Sequence, residues 1–482
     1  MIEEKEILRR RDMRETFTFT IDPADAKDFD DAISFECLAD EAGPTAQRSY
    51  SESGPTAQRS CSAAVYRIGV HIADVSFYVR PGTKIDEDAY KRGTSVYLVD
   101  RVLPMLPEEL CNDKCSLRPS EDKLCLSVIF TMDADARVLK YKICRTVIRS
   151  DARLNYNEAQ EIIEGIGIPK YRDTEVSAAL QTLNTLAQKL RAERIANGAL
   201  TIEQDEMRFR LDKNGFPTEI YFESPNEAHH LIEEFMLLAN RTVAKAVGSG
   251  RPFVYRVHDL PDGEKLENAK HFQKRFPQLQ RAYDLLTIRA QAKAIYSTYN
   301  IGHYGLAFTH YTHFTSPIRR YPDLMVHRLV DKYILTGKKE TMTREQLEEM
   351  CEHCSACEQE AAQAERDSIK MFQAIWITSH VGEILPGHIS GVTDFGIFVQ
   401  LDESRCEGLV HITKIGAKGE YWQYDEKNYR LVCENKKSEN NRAVSSYTLG
   451  DPVVVQVVRA DINKGQIDFE LVPEVPIKDQ KA

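Results

Sequence analysis

Thr16-Phe17-Thr18-Phe19-Thr20-Ile21 alternates polar and apolar side chains with a period of two, which predicts a half-buried β-strand. The same period recurs in Ala32-Ile33-Ser34-Phe35 and in Val65 to Ile72. It returns in a strand pair, Leu124 to Met132 and Val138 to Val147, around a turn at Asp133 to Ala136. From Asn157 to Asn197 the period lengthens to that of a helix, which Gly198 ends. A hairpin follows, with its turn at Asp212-Lys213-Asn214-Gly215. Further helices are predicted over Glu227 to Val247, with apolar positions at Leu231, Ile232, Phe235, Leu238 and Ala239, and over about 279 to 297. Two more are His327 to Tyr333, opening after Pro322, and Arg344 to Trp376. Beyond Ser379 the pattern changes to short strands with glycine turns: Gly387-His388-Ile389-Ser390, Gly396 to Leu401, Gly408 to Ile412, Val453 to Val458 and Ile467 to Leu471. Five strands over roughly 90 residues suit a small closed barrel of the OB type.

The predicted fold class is α+β. A mixed sheet-and-helix domain spans residues 16–378, a five-stranded OB-fold barrel spans 379–474, and 475–482 form a polar tail. Residues 1–15 set only a weak apolar pattern (Ile2, Ile7, Leu8) among charges, and are expected to be a leader or linker from which no core is built. Gly43-Pro44-Thr45-Ala46-Gln47-Arg48-Ser49 recurs as Gly54-Pro55-Thr56-Ala57-Gln58-Arg59-Ser60. Such a composition cannot bury a core, and two copies are too few for a solenoid. The stretch 43–60 is therefore expected to be a loop insertion on a β-hairpin.

Length and composition narrow the classes. The 482 residues hold roughly three domains, or one large domain and a small one. With 42% hydrophobic and 28% charged residues the chain reads as globular and soluble. No window approaches the ~18 consecutive apolar residues of a membrane span, and the charged start is no secretory signal. Eleven cysteines without an export signal fit reduced thiols in the cytoplasm. A net charge of −11 argues, taken alone, against a nucleic-acid partner. Yet Arg9, Arg10, Arg11 and Arg14 cluster, Arg319 and Arg320 are adjacent, and Lys436, Lys437 and Arg442 share one late loop. A basic channel inside an acidic protein stays open.

The chemistry concentrates in Thr20-Ile21-Asp22-Pro23-Ala24-Asp25-Ala26-Lys27-Asp28-Phe29-Asp30-Asp31-Ala32. Five of the ten residues from Asp22 to Asp31 are aspartates, and Lys27 alone cannot balance them. Carboxylates this close must be solvated, protonated or bound to cations. A wet acidic turn is the plain alternative, but Phe19, Ile21, Phe29 and Ile33 frame the cluster with apolar strand. Hard oxygen ligands suit Mg²⁺ or Mn²⁺ rather than zinc, and carboxylate-held Mg²⁺ serves phosphodiester chemistry. Cys351-Glu352-His353-Cys354-Ser355-Ala356-Cys357 is a weaker metal candidate, because helical spacing spreads the thiols around one face with no fourth ligand following.

Three blocks in this order resemble the RNase II/RNase R family of 3′→5′ exoribonucleases. The first is the aspartate stretch, continued by His71-Ile72-Ala73-Asp74-Val75-Ser76. The second is Gly93-Thr94-Ser95-Val96-Tyr97, then Arg101 to Pro107 and Cys115-Ser116-Leu117. The third is His303-Tyr304-Gly305-Leu306-Ala307, Tyr311 to Arg320, and Tyr321-Pro322-Asp323-Leu324. Shorter matches are Ala152 to Tyr156 and Ala228-His229 to Asn240, and the barrel resembles an S1 RNA-binding domain. The resemblance covers about residues 16 to 472 and identifies 16–378 with the family's RNB catalytic domain. RNase R-like proteins carry cold-shock domains ahead of that domain. The chain starts almost at it, so a trimmed or short form is expected.

The resemblance implies a processive, Mg²⁺-dependent exoribonuclease (with Mn²⁺ as the substitute ion) that hydrolyses single-stranded RNA to nucleoside 5′-monophosphates, as a cytoplasmic monomer. It assigns Asp22, Asp28, Asp30 and Asp31 to the metal, with Asp30 and Arg319 as the catalytic pair. It places Tyr97 as the stacking tyrosine near the 3′ end and Tyr156 and Glu233 at the ribose. Glu365, Arg320, and the barrel residues Phe395, Phe398 and His411 are further RNA contacts. Ile202 stands where close relatives carry a clamping phenylalanine, a departure from the family pattern. For the barrel residues, core positions at period-two spacing are an equal alternative. An inactive, RNA-binding relative and a DNA exonuclease are the rival readings.

Overall fold

A computed structural model describes residues 2–38, 64–166, 168, 170–171, 174–201, 205–248, 250–337, 342–416, 420–433 and 446–472. The chain opens with one turn, α1 (Glu4–Ile7), then β1 (Arg11–Met13), β2 (Thr18–Asp22), β3 (Asp31–Leu38) and β4 (Val65–Ala73). Helices α2 (Val75–Tyr78) and α3 (Lys84–Arg92) lead into a small ribbon, β5 (Val96–Tyr97) with β6 (Val102–Leu103). The long hairpin β7 (Asp122–Asp133) and β8 (Val138–Arg149) follows, then β9 (Ala152–Asn155). These strands build one seven-stranded sheet in the order β1-β8-β7-β4-β3-β2-β9, parallel only at its two edge pairs. β2 is buried along its whole length rather than half-buried. It lies between β3 and β9, and its threonines are small enough to be covered, Thr18 turning its hydroxyl back to the Thr16 carbonyl at 2.7 Å.

Residues 10–13, expected within a leader, are part of the sheet and its core. Arg11–Met13 pairs with Thr146–Ile148, and Met13 enters the core at 3% exposure. Arg10 is fully covered, yet its guanidinium lies 2.7 Å from Asp74 and 2.8 Å from Glu6. A charged stretch can be buried when its charges find partners inside, and a hydrophobicity pattern cannot reveal Asp74 as that partner.

Helices cover the sheet. The run expected at 157–197 divides into α4 (Tyr156–Ile163) and α5 (Glu175–Ala196), and the hairpin β10 (Glu206–Leu211) and β11 (Pro217–Glu223) leads to α6 (Glu227–Val247). β12 (Tyr255–Val257) precedes α7 (Gly263–Arg275), which begins where the Asp262 carboxylate accepts from the Glu264 and Lys265 backbone nitrogens. The predicted helix at 279–297 is α8 (Gln280–Arg289) followed by β13 (Ile295–Ser297), whose partner is β12. A three-residue strand is too short for periodicity to separate from a helix end. α9 (Tyr321–Val330) starts six residues earlier than expected, with Pro322 in its first turn, where proline needs no donor. α10 (Arg344–Ile377) is the long helix predicted there.

The barrel closes as β14 (Ile384–Thr393), β15 (Gly396–Leu401) and β16 (Glu407–His411), with a separate small sheet of β17 (Trp422–Asp425), β18 (Arg430–Cys433) and β19 (Ser446–Thr448) before β20 (Pro452–Asp461) and β21 (Gln466–Leu471). Its core runs across the 378/379 boundary: Ala269 and Phe272 of α7, Ala282 and Leu286 of α8, and Ala374 and Ile377 of α10 pack with Ile397, Val399, Val455 and Phe469. Among the described residues no helix is long and apolar enough to cross a membrane. The 43–60 repeat, Ile202, Lys436, Lys437, Arg442 and the 475–482 tail lie outside the described residues.

Candidate active site

β2 ends at Asp22 and β3 begins at Asp31, so an antiparallel pair holds the ends of the aspartate loop side by side. The loop is stapled from both flanks. The Ser116 hydroxyl donates to the Lys27 carbonyl (2.8 Å) and accepts from the Phe29 nitrogen (3.0 Å), while Leu117 N–H reaches the Phe29 carbonyl (3.0 Å). Ala73 N–H holds the Asp30 carbonyl at 2.9 Å. On the other side the Arg153 guanidinium donates to the Pro23 and Ala24 carbonyls and lies over the Phe29 ring. These contacts aim Asp22, Asp28, Asp30 and Asp31 together and leave Asp25 exposed outside the group.

Arg319 meets the cluster from a distant segment, whose Ile318 lies 288 positions from Asp30. Its Nε lies 3.6 Å from Asp30 Oδ2, and the neighbouring Ile318 N–H donates to Asp30 Oδ1 at 2.9 Å. The arginine loop is held in turn. Ser95 N–H and the Thr94 hydroxyl donate to the Arg319 carbonyl, the Arg319 Nη2 donates to Ser116's counterpart on its own loop, Ser316 Oγ (3.0 Å), and the Asp323 carboxylate accepts from Ser316 N–H (2.8 Å). Arg320, expected as an RNA contact, turns to the fully buried Asp323 (2.9 Å) and so is part of this support. A buried carboxylate without a cation is costly, and Arg320 is the cation.

Burial pushes Asp22 and Asp31 up to about 7, Asp30 well above the ordinary carboxylate range, and Asp28 upward. Neighbouring carboxylates add to the rise, and Arg319 opposes it at Asp28, Asp30 and Asp31. Arg153 opposes the rise at Asp22, but two guanidiniums do not offset four carboxylates, and Asp22 Oδ2 is buried without a hydrogen-bond partner. That surplus of hard, unpaired oxygen fits a divalent cation. Among the described residues no three of His, Cys, Asp or Glu close into a cage of their own. A cation held here would therefore need oxygens from water or phosphate besides these carboxylates.

Two aromatic residues flank the cluster. Gly93 ends α3 with a left-handed φ of 66°, where a Cβ would come within 2.5 Å of the Cys357 Cβ. The strand that follows presents Tyr97 with 41% exposure, its backbone N–H donating to Glu365 Oε1 at 3.0 Å. Glu365 thus acts on the site through the Tyr97 backbone, and Arg319, Asp28 and Asp30 act electrostatically on the Tyr97 hydroxyl. Tyr156 opens α4 directly after Asn155, which pairs with Asp22 across β9 and β2. Burial raises its hydroxyl, with Asp31 and Asp22 adding to the effect. Glu233 sits a turn along α6 and pairs with Arg194 (3.4 Å) and His230 (3.7 Å); no described contact brings it to the aspartates.

On the barrel, Ile397, Val399 and Leu401 fill the inside, while Phe395 is exposed and packs edge-to-face on the half-exposed Phe398 at 6.0 Å. His411, paired with Gly396 on the adjoining strand, is exposed too, so these three form an outer face and not core. Cys351 and Cys354 are buried free thiols whose pKa burial raises, and they gather no metal set among the described residues. Ser116, Arg153 and Asp323, which build the site, carried no role in the sequence reading. Their partners lie far along the chain, 87 positions for Ser116 and Phe29, so no local pattern announces them.

The RNB domain family matches residues 10–336, and the S1 RNA binding domain family matches 379–471. Ribonuclease R of Aquifex aeolicus (strain VF5) is 39% identical over 98% of the chain, and that of Thermotoga maritima is 38% identical over 98%. The chain spans 66% of the length of each. The solved structure of Mycoplasma genitalium RNase R in complex with ribose methylated single-stranded RNA superposes over 98% of this chain and 73% of that one, with a TM-score of 0.84 and 26% identity. With the RNB match spanning most of its length and an S1 barrel behind it, the chain belongs to the RNase II/RNase R family.

Proposed function

We propose that the protein is a 3′→5′ exoribonuclease that shortens single-stranded RNA by hydrolysis, one nucleoside 5′-monophosphate at a time. The observation that carries this reading is the meeting of the buried Asp22 and Asp30 and the partly buried Asp28 and Asp31 with Arg319, between Tyr97 and Tyr156. RNA bound to the M. genitalium relative supports the choice of substrate. Asp22, Asp28, Asp30 and Asp31 would hold Mg²⁺, or Mn²⁺ in its place, which when bound supplies Lewis acidity toward a phosphate oxygen and lowers the pKa of water. Asp30 spends one oxygen on the Ile318 amide and so sets the arginine loop against the phosphate site. The planar fork of Arg319 takes two non-bridging oxygens and neutralises charge gathering there as the P–O3′ bond breaks. Tyr97 stacks on a base without reading it, as a sequence-tolerant exonuclease needs, and the Tyr156 phenol, kept protonated, donates toward the ribose 2′-oxygen. The exposed Phe395, Phe398 and His411 face supplies a second hold on the strand.

The test uses 5′-labelled single-stranded RNA with Mg²⁺ or EDTA, and the Asp30→Asn variant alongside. The expected result is stepwise shortening from the 3′ end with Mg²⁺ alone, and an Asp30→Asn protein that binds RNA but does not cut it. Activity surviving EDTA or Asp30→Asn would sink the mechanism, and internal cuts would sink the exonuclease.

A further inference from the structure

We propose that His229 is a positioning residue for ribose discrimination: its imidazole is the platform that sets the plane of the Tyr156 ring beside the aspartate cluster. The inference rests on the reading that Tyr156 faces the ribose, and goes beyond it by naming what holds that ring.

The two rings stack with centroids 3.8 Å apart and planes 9° from parallel. Both are half-buried, and Tyr156 packs against the edge of the main core. Each ring is anchored by the first turn of its own helix. At α4, the Asn155 side chain accepts from Glu158 N–H (2.9 Å), and Glu158 accepts in return from Asn155 N–H (2.8 Å). At α6, Asn226 Oδ1 accepts from His229 N–H (3.2 Å), while His229 Nδ1 lies 3.3 Å from the Asn226 nitrogen. A cross-link joins the middle of α4 to the start of α6: Gln160 Oε1 accepts from Ala228 N–H at 3.1 Å. Because Asn155 is paired with Asp22, the whole assembly is registered to the end of β2.

A tyrosine side chain has two soft torsions, and a parallel neighbour at stacking distance restricts both. Burial also lowers the His229 pKa, and His230 beside it adds to the effect. A fixed ring holds the phenol at one point. A 2′-hydroxyl placed there gains a contact, and a deoxyribose has nothing to gain or lose. Removing the platform therefore lowers the rate on RNA more than the rate on a 2′-deoxy substrate.

The cap and the stack can be separated. Glutamine at this third helical position keeps the reciprocal cap and removes the ring, whereas phenylalanine keeps a ring and removes the cap contact. Steady-state kcat and KM are measured for His229→Gln, His229→Phe and Tyr156→Ala in the full chain with Mg²⁺. The substrates are an all-ribose oligonucleotide and one with 2′-deoxy residues at its 3′ end, and circular dichroism monitors folding. The expected result is a ribose-to-deoxyribose preference in kcat/KM that falls roughly three- to tenfold in His229→Gln, as loss of an aromatic pair predicts. His229→Phe holds the preference within about twofold, and adding Tyr156→Ala to His229→Gln causes no further loss. A folded His229→Gln that keeps the full preference, or a His229→Phe that loses it equally, overturns the proposal. If Tyr156→Ala itself leaves the preference intact, the ribose reading of Tyr156 fails, and that outcome is distinct from failure at His229 alone.

Discussion

Arg319 is the cation that reaches Asp30, and its geometry makes it hard to replace. Its guanidinium is partly exposed and held by Ser316 at 3.0 Å, while Asp30 lies 3.6 Å away. Arg319→Ala should lower the single-turnover cleavage rate by about 100-fold or more, the usual scale for losing one donor to a developing charge. Arg319→Lys should recover little of it, because an ammonium cannot fork across two oxygens. The aspartates carry a pH signature of their own. Burial raises Asp22 and Asp31 to about 7, so without a divalent ion the folded state keeps protons that the unfolded chain has already released. Stability from these groups is therefore present below the ordinary carboxylate pKa and is lost as pH rises toward about 7. In EDTA the melting temperature should fall over that window, less so in an Asp22→Asn, Asp31→Asn double variant. Stabilisation by added Mg²⁺ should grow over the same window, because the cation needs the deprotonated form. The aspartates were legible in the sequence because they are neighbours within ten residues. Arg319 was legible only through its family resemblance, and the pairing of Arg320 with Asp323 was not legible, because nothing local says which of two arginines turns inward.

At the scale of elements, a strand end becomes a site because a loop is pinned to it. The Ser116 hydroxyl, donating to Lys27 and accepting from Phe29, holds the middle of the aspartate loop. Ser116→Ala leaves a buried amide unpaired, which costs about 1–3 kcal/mol. It should lower both the unfolding free energy in urea and the cleavage rate, while RNA affinity measured in EDTA changes less. A variant with wild-type stability and rate would show that the loop is set elsewhere. Elements with long regular patterns were read correctly: α6, α10, the hairpin of β7 and β8, and the five barrel strands all stand where periodicity put them. The failures are short or capped by single contacts. β13 has three residues and exists by pairing with β12, and α7 depends on Asp262 at its start.

For the whole molecule, the segment expected to be a leader is part of the sheet. Arg10 lies 2.7 Å from a fully buried Asp74, which also has Arg145 at 3.9 Å. Arg10→Ala leaves that carboxylate short of its main partner and should cost about 3–5 kcal/mol in urea unfolding. An exposed linker arginine would cost nothing measurable. The barrel is likewise no independent bead, since α7 and α8 share its core and Arg275 of α7 reaches Asn428 at 2.6 Å. What the sequence by itself determined is what neighbours encode: strands at period two, helices at period 3.6, turns at glycine, and a density of carboxylates in one loop. Tertiary structure alone decided which cation answers that loop, which ring stacks on Tyr156, why β1 joins the sheet edge, and where the barrel's packing ends. The physical reason is separation along the chain. Asp30 and Ile318 are 288 positions apart, and a contact at that distance leaves no trace in the pattern of either segment.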